Sequence, residues 1–175
     1  MTTTSKPDRD AALESGAPVV VVVTTDDDRY ARTRQIAVEL ARHANARLVL
    51  YDWDAATILG DPLPTAWDAD GPDHAQPTEL DVDALEAAGR DAIAGQVAQA
   101  QERGVEAAAW LPSEPGADAL GEFAAEHGAT AVVLPEDLAA KGHLERLREG
   151  AMDPVAAVRS RSRARIVVVP RPLTA

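Results

Sequence analysis

The stretch Pro18-Val-Val-Val-Val-Val-Thr-Thr-Asp-Asp-Asp28 decides the fold, because it joins an unbroken apolar run to an acidic end. Its five consecutive valines show no alternation with polar residues, so both faces of the strand that they predict would be buried. A strand buried on both faces is typical of a parallel sheet covered by helices on each side. In such open sheets, ligands bind beyond the carboxyl ends of the strands, where the strand order reverses. We therefore expect residues 24–28 to lie at the mouth of a crevice.

The composition limits what the chain can be. Its 175 residues predict one domain, and the 46% hydrophobic content predicts a mainly aliphatic core, because aromatic residues make up only 3%. Cysteine is absent, which excludes disulfides and thiol chemistry. The formal net charge of -12 argues against nucleic-acid binding, because a duplex repels an acidic surface. No apolar run approaches the ~18 residues of a membrane span, and the polar N-terminus lacks a signal-peptide core, so we expect a cytoplasmic protein without membrane contact.

Apolar strands alternate with amphipathic helices from the valine run to the end of the chain. Residues 1–17 lack periodicity and predict a disordered tail, residues 18–171 predict the folded domain, and residues 55–78 predict a long loop inside it. Strands are expected at 46–54, 105–111, 129–135 and 164–170, and helices at 29–45, 79–103, 117–127 and after Asp153-Pro154. This order predicts an α/β fold with a doubly wound, parallel, five-stranded, Rossmann-like sheet.

The ends and faces of these helices are predicted from single residues. Asp27 or Asp28 is expected to cap the first helix, and Gly104 to end the long helix at 79–103 in a left-handed conformation. In the first helix, Arg34 and Arg42 are expected in solvent. The face expected to be buried consists of Tyr30, Thr33, Ala37, Leu40 and Ala44.

Three stretches of the chain resemble the universal stress protein family. They run from Val38 to Leu50, from Pro115 to Leu134, and from Asp153 to Val169, and the likeness as a whole extends over residues 18–171. These stretches are structural and contain no catalytic signature. The resemblance implies an adenine nucleotide alpha hydrolase-like sheet with strand order 3-2-1-4-5 and the first strand at its centre.

The family resemblance also implies where a nucleotide would bind. In family members that bind ATP, an Asp after the first strand meets the adenosine end, and here that position falls on Thr25 or Asp26. Backbone at the end of the second strand holds the base, which here corresponds to Tyr51 and Asp52. A loop of pattern Gly-x2-Gly-x9-Gly-Ser/Thr cradles the phosphates, because glycines let backbone amides approach the anion. The corresponding glycines would be Gly142 and Gly150.

This chain departs from the phosphate-loop pattern at several positions. The residues that end the fourth strand are Leu134 and Pro135, of which neither is glycine, and proline has no amide hydrogen to donate. Glu136 and Asp137 then place negative charge where a triphosphate would lie. Gly142 and Gly150 are separated by seven residues instead of nine, and no hydroxyl residue follows Gly150 directly. We therefore predict that the chain does not bind ATP through the usual loop, and expect two facing acidic lips at the crevice.

Two other readings of the acidic residues remain as alternatives. Aspartates 26, 27, 28, 52 and 54 could form a divalent-cation pocket, although we favour one of them as a helix cap and the others in solvent. A response-regulator receiver would also have paired acids after its first strand, but its second acid follows the third strand and a lysine follows the fifth. Here Arg171 stands in the place of that lysine. The four histidines lack zinc-ligand spacing, so neither a metal site nor a catalytic residue is predicted.

The last strand predicts a contact between two copies of the chain. By the implied strand order it lies at the edge of the sheet, and an apolar edge is normally covered or paired. In the family this strand pairs with its copy in a second subunit. We therefore expect a homodimer through Arg165, Ile166, Val167, Val168, Val169 and Pro170. Basic residues concentrate late in the chain, and they are either solvated or in contact with an anion or an acidic partner.

The favoured function is a universal stress protein-like regulatory or stress-response module without a cofactor. It would act through dimerisation and a protein partner. The alternative is an adenine-nucleotide-binding protein, or a slow ATP hydrolase, with an altered pocket.

Overall fold

The valine run forms the central strand of a five-stranded parallel sheet with the order β3-β2-β1-β4-β5. The computed structural model describes residues 16–55, 79–112, 116–139 and 153–171. All four neighbouring strand pairs are parallel, which confirms the predicted α/β architecture and strand order. The strands are β1 Val19–Thr24, β2 Arg47–Asp52, β3 Ala107–Trp110, β4 Ala129–Pro135 and β5 Arg165–Val169.

Helices cover both faces of the sheet, so the chain has two apolar layers. The helices are α1 Ala31–Ala44, α2 Val82–Ala87, α3 Asp91–Glu102, α4 Ala117–Glu126, α5 Glu136–Ala139 and α6 Pro154–Arg161. Val20 and Val22 of β1 pack into one layer with α1 and α3, while Val19, Val21 and Val23 pack into the other with α4 and α6. Every residue of β1 is buried, as the unbroken apolar run predicts.

Several predicted helix ends are confirmed. The Asp153 carboxylate accepts a hydrogen bond from the Val155 amide at 3.0 Å, and Pro154 occupies the first turn of α6. Gly104 follows α3 with a φ of +80°, a left-handed conformation that glycine adopts without steric cost. Within the described ranges, no helix is long and apolar enough to cross a membrane.

The prediction of one helix over residues 79–103 is wrong, because the chain breaks between α2 and α3. Gly89 has a φ of +71°, which ends the hydrogen-bonding pattern of α2. Asp91 then stands in the first turn of a new helix, where a negative charge is favourable. The break leaves Arg90 at the N-terminus of α3, from where its side chain reaches the ends of β1 and β2.

The predictions for the start and the buried face of α1 are also partly wrong. The helix begins at Ala31 without a side-chain cap, because the Asp27 carboxylate instead accepts the Arg29 amide at 2.8 Å in the preceding turn. Arg34, expected in solvent, is buried with an exposed fraction of 8%, whereas Ala44 is exposed. Arg34 is buried because its guanidinium donates hydrogen bonds to polar groups at the end of β1.

The two edges of the sheet differ. The outer edge of β3 is covered by Leu80, whose amide and carbonyl both bond to Ala109, at 2.7 and 2.9 Å. The outer edge of β5 has no such partner within the described residues. The predicted tail and the predicted loop at 55–78 lie almost wholly outside the described ranges, as do Gly142 and Gly150.

Candidate functional site

The carboxyl ends of β1, β2 and β4 meet at one edge of the sheet. The chain crosses from the β2–β3 side of β1 to the β4 side, so the strand order reverses at β1. Thr25 and Asp26 follow β1 directly, while Tyr51 and Asp52 end β2, and the register pairs Thr24 with Asp52. The structure therefore brings together four of the six predicted site residues.

Asp26 is engaged by the neighbouring helix and does not face an open crevice. One of its carboxylate oxygens accepts a hydrogen bond from the Ile93 amide in the first turn of α3, at 3.2 Å. This contact satisfies one of the free amides at a helix N-terminus and places the negative charge at the positive end of the helix dipole. The predicted cap of α1 by Asp27 or Asp28 is thus absent, and the aspartate that caps a helix here is Asp26, at α3.

Asp52 is fully buried at the end of β2, with an exposed fraction of 0%. Its Oδ1 atom accepts the Asp54 amide at 3.0 Å, and its Oδ2 atom lies 3.3 Å from Nη1 of Arg90. Neither Oδ2 nor Nη1 makes a hydrogen bond within the described part of the chain, so the contact between them is an ion pair. The expectation that this aspartate is solvated is therefore wrong.

Burial raises the pKa of Asp52 to about 6, although the Arg90 charge and the Asp54 amide both lower it. The negative charges of Asp26 and Asp54 raise that pKa further by repulsion. Removing water from the carboxylate thus outweighs the stabilisation that its single counter-ion supplies. Asp52 is the acidic group at this edge whose charge is least favourable in the folded chain.

Thr24, Arg34 and Gln96 form a buried polar network that fixes the loop after β1. The Gln96 side chain donates hydrogen bonds to the carbonyls of Thr25 and Asp27, at 3.1 and 3.0 Å. It also accepts a hydrogen bond from the Thr24 hydroxyl at 2.8 Å, and Arg34 donates to the same hydroxyl at 3.2 Å. Hydrogen bonds to buried carbonyls are costly to lose, so α1 and α3 together hold this loop in place.

Tyr51 contributes a side chain to the packing on the α4 side. Its hydroxyl donates to the Gly116 carbonyl at 3.2 Å and accepts from the Gly116 amide at 3.1 Å, directly before α4. Burial raises the pKa of Tyr51 to about 12, so the phenol stays neutral. Its ring contacts Trp110, which stacks on Phe123 with ring centroids 4.2 Å apart. The Tyr51 side chain is thus a structural element of this layer.

Acids line both sides, as expected, but each side is partly neutralised because an arginine pairs with an acid there. Arg29 pairs with Asp27 at 2.8 Å and lies 3.7 Å from Asp54. On the other side, the Arg171 guanidinium pairs with Asp137 at 2.7 Å and its amide donates to the Glu136 carboxylate at 3.0 Å. A groove runs between these two pairs, from the start of α1 to the ends of β4 and β5.

The described residues do not support the predicted alternative of a metal pocket. Among them, no group of three or more His, Asp or Glu side chains is placed so that it could hold a metal ion. Asp27 and Asp28 are exposed, Asp26 caps α3, and Asp52 faces Arg90. The acids are thus divided among separate partners.

Sequence reasoning missed Arg34, Arg90 and Gln96, the three long side chains that organise this edge. One signal was available for Arg90: a glycine inside a helical pattern followed two residues later by an aspartate indicates a break and a new N-terminus. The contacts that Arg34 and Gln96 make depend on how α1 and α3 pack on the sheet. No local sequence pattern reveals this packing.

The fold matches solved structures more clearly than the sequence matches any known family. No protein-family profile and no curated protein sequence matches the chain. A universal stress protein in complex with cAMP is 20% identical and covers 89% of this chain and 98% of its own, with a TM-score of 0.52. A universal stress protein from Archaeoglobus fulgidus is 16% identical and covers 87% and 92%, with a TM-score of 0.51. The chain therefore has a universal stress protein-like fold, as the sequence resemblance predicted.

Proposed function

We propose that the protein is a regulatory, stress-response module of the universal stress protein type that does not hold ATP in the family's usual way. It acts through dimerisation and protein partners. The observation that supports this best is the position of the Arg90 side chain, which is buried at the ends of β1 and β2 with an exposed fraction of only 4%. Arg90 lies between Asp26 and Asp52, the residues that the resemblance assigns to the adenosine end of a nucleotide.

The opposite wall also lacks what a triphosphate needs. β4 ends at Pro135, which has no amide hydrogen, and α5 begins with Glu136 and Asp137. Among the described residues of this wall, the cation is Arg171, and its guanidinium is already paired with Asp137. Within that part of the chain, a phosphate at this wall would meet one guanidinium and two carboxylates.

Calorimetric titration with Mg-ATP tests this proposal. We expect no saturable heat up to about 1 mM ligand, a concentration that detects even weak specific binding. Saturable binding in the micromolar range would show that the crevice accepts the nucleotide despite Arg90. Absorbance at 260 nm of the purified protein provides an independent check, since a bound adenine would raise it.

A second candidate function is adenine-nucleotide binding, with or without slow hydrolysis, in an altered pocket. It is favoured by one observation, namely that a chain of the same fold forms a complex with cAMP. Titration with cAMP under the same conditions separates the two candidates. Saturable binding of cAMP would favour the second candidate. If neither cAMP nor ATP gives saturable heat, the first candidate is favoured.

The dimerisation part of the proposal is supported by the difference between the two sheet edges. Leu80 covers the β3 edge, so this edge cannot add another strand. The β5 edge is apolar, and Val168 is the one large hydrophobic residue of the described ranges that is exposed, at 42%. Pairing of Arg165, Ile166, Val167, Val168, Val169 and Pro170 with their copies would satisfy the backbone and cover this side chain.

A further inference from the structure

Three oxygen atoms from different parts of the chain converge on the Arg90 guanidinium. Nη1 lies 3.3 Å from an oxygen of Asp52 and 3.7 Å from an oxygen of Asp26, while Nη2 donates to the Ala55 carbonyl at 3.0 Å. The loop after β1 supplies one oxygen, and the end of β2 with the residues after it supplies the other two. Two carboxylates and a carbonyl are an oxygen set that cations prefer.

The convergence is not a by-product of helix capping. Each carboxylate uses one oxygen for a backbone amide, Ile93 for Asp26 and Asp54 for Asp52. In each case the second oxygen is turned towards Nη1 of Arg90. Arg90 is nearly fully buried, and its Nη1 atom makes no hydrogen bond within the described residues. We therefore attribute the position of Nη1 to the attraction between the Arg90 guanidinium and the two carboxylates.

The cation, Arg90, comes from a part of the sequence that is distant from both aspartates. Gly89, with its positive φ, ends α2 and lets the chain turn so that Arg90 enters the crevice from the start of α3. We propose that Asp26, Asp52 and the Ala55 carbonyl form a cation-recognition site, and that Arg90 is its built-in ligand. The chemical class that fits is a guanidinium.

This inference rests on the proposed function in one respect, because it explains how the same crevice is kept closed to a nucleotide. The built-in cation lies between the two carboxylates and offsets part of the repulsion between them. Without Arg90, the site should accept an external guanidinium of small size.

Chemical rescue of an Arg90→Ala variant tests the proposal, with methylguanidinium chloride as the probe. The substitution should lower the Tm by about 10 °C, because it leaves the buried Asp52 carboxylate without its counter-ion. Methylguanidinium at about 50 mM should then raise the Tm of R90A by about 3 °C relative to the same concentration of NaCl. The Tm of the unaltered protein should not rise, since its site is filled.

Two control variants make the outcome specific. Arg103→Ala removes an exposed arginine at the end of α3, so its Tm should not respond to methylguanidinium. R90A combined with Asp52→Asn lacks one carboxylate of the site and should lose the rescue. Absence of rescue in R90A, or equal rescue in the R90A/D52N double variant, would overturn the proposal.

If R90A does not fold, a comparison of the Tm of two other variants tests the proposal. Arg90→Lys keeps a cation in the site, whereas Arg90→Gln keeps a polar side chain of similar reach without charge. The proposal expects the Tm of R90K to exceed that of R90Q by about 5 °C at pH 7, and this gap to shrink in the D52N background. Equal values for R90K and R90Q would overturn it. None of these measurements involves a nucleotide, so their failure is distinguishable from a failure of the proposed function, which the ATP titration reports.

Discussion

The protonation of Asp52 is coupled to folding. Its pKa is raised from 3.8 to about 6 by burial, against the opposing charge of Arg90. The folded chain therefore binds this proton more tightly than the unfolded chain does. The contribution of Asp52 to the free energy of unfolding is most favourable below pH 4 and is lost as the pH rises through 6.

Replacing Asp52 with Asn should remove this pH dependence. The shift from 3.8 to about 6 corresponds to about 3 kcal/mol at full deprotonation, most of it between pH 4 and pH 7. The free energy of unfolding of the unaltered protein, minus that of D52N, should thus fall by about 2–3 kcal/mol over this range. Urea unfolding of both proteins at several pH values measures this difference. A difference that stays constant or rises with pH would contradict the assigned environment of Asp52.

Helices α4 and α6 approach each other closely at Gly121. A Cβ atom added to Gly121 of α4 would lie 2.8 Å from the Ala157 carbonyl oxygen of α6, nearer than such contacts occur. Backbone lies on the far side of this contact, so a substitution cannot be accommodated by a rotating side chain. Glycine at this position therefore lets the two helices approach each other on the same face of the sheet.

Gly121→Ala and Gly95→Ala should have opposite effects on stability. Alanine is better than glycine in a helix by about 1 kcal/mol, and nothing lies within 4 Å of the added atom at Gly95 of α3. G95A should thus raise the free energy of unfolding by up to about 1 kcal/mol. G121A should lower it by about 1–2 kcal/mol, because the strain of overpacking outweighs the helix preference. Chemical denaturation compares the two, and a stabilised G121A would show that α4 and α6 lie further apart.

Elements that are specified by a short stretch of sequence are predicted correctly. The valines of β1 and the Asp153-Pro154 start of α6 are local signals with one physical meaning each, and both are confirmed. The break at Gly89 was missed because Val82, Leu85 and Ile93 fit one continuous helical period. The pairing of Asp52 with Arg90 could not be foreseen, because it depends on that break and on the packing of α3 against the end of β1.

For the whole molecule, the difference between the two sheet edges determines how copies of the chain can assemble. Within the described ranges, β5 is the edge that is left open to another strand, because Leu80 bonds to β3 at the other edge. Strand pairing across a two-fold axis would then stop at two copies, since the partner presents the same blocked edge on its far side. The proposed homodimer is thus a closed assembly.

Val168→Lys should convert the proposed dimer into a monomer. The substitution places a charge on the exposed apolar position of β5, which an edge-to-edge pair would have to desolvate. Light scattering at micromolar concentration should give twice the chain mass for the unaltered protein and the chain mass for V168K. Gln35→Lys, which adds the same charge on the exposed face of α1, should remain dimeric. A monomeric unaltered protein, or a V168K variant that stays dimeric, would contradict pairing through β5.

Arg90 keeps the proposed crevice closed to a nucleotide, and a crystal structure determined after soaking with Mg-ATP tests this directly. We predict that electron density will show the Arg90 guanidinium between Asp26 and Asp52, with no adenine at the ends of β1 and β2. Density for an adenine ring at that place, with Arg90 displaced into solvent, would contradict the proposed role of Arg90.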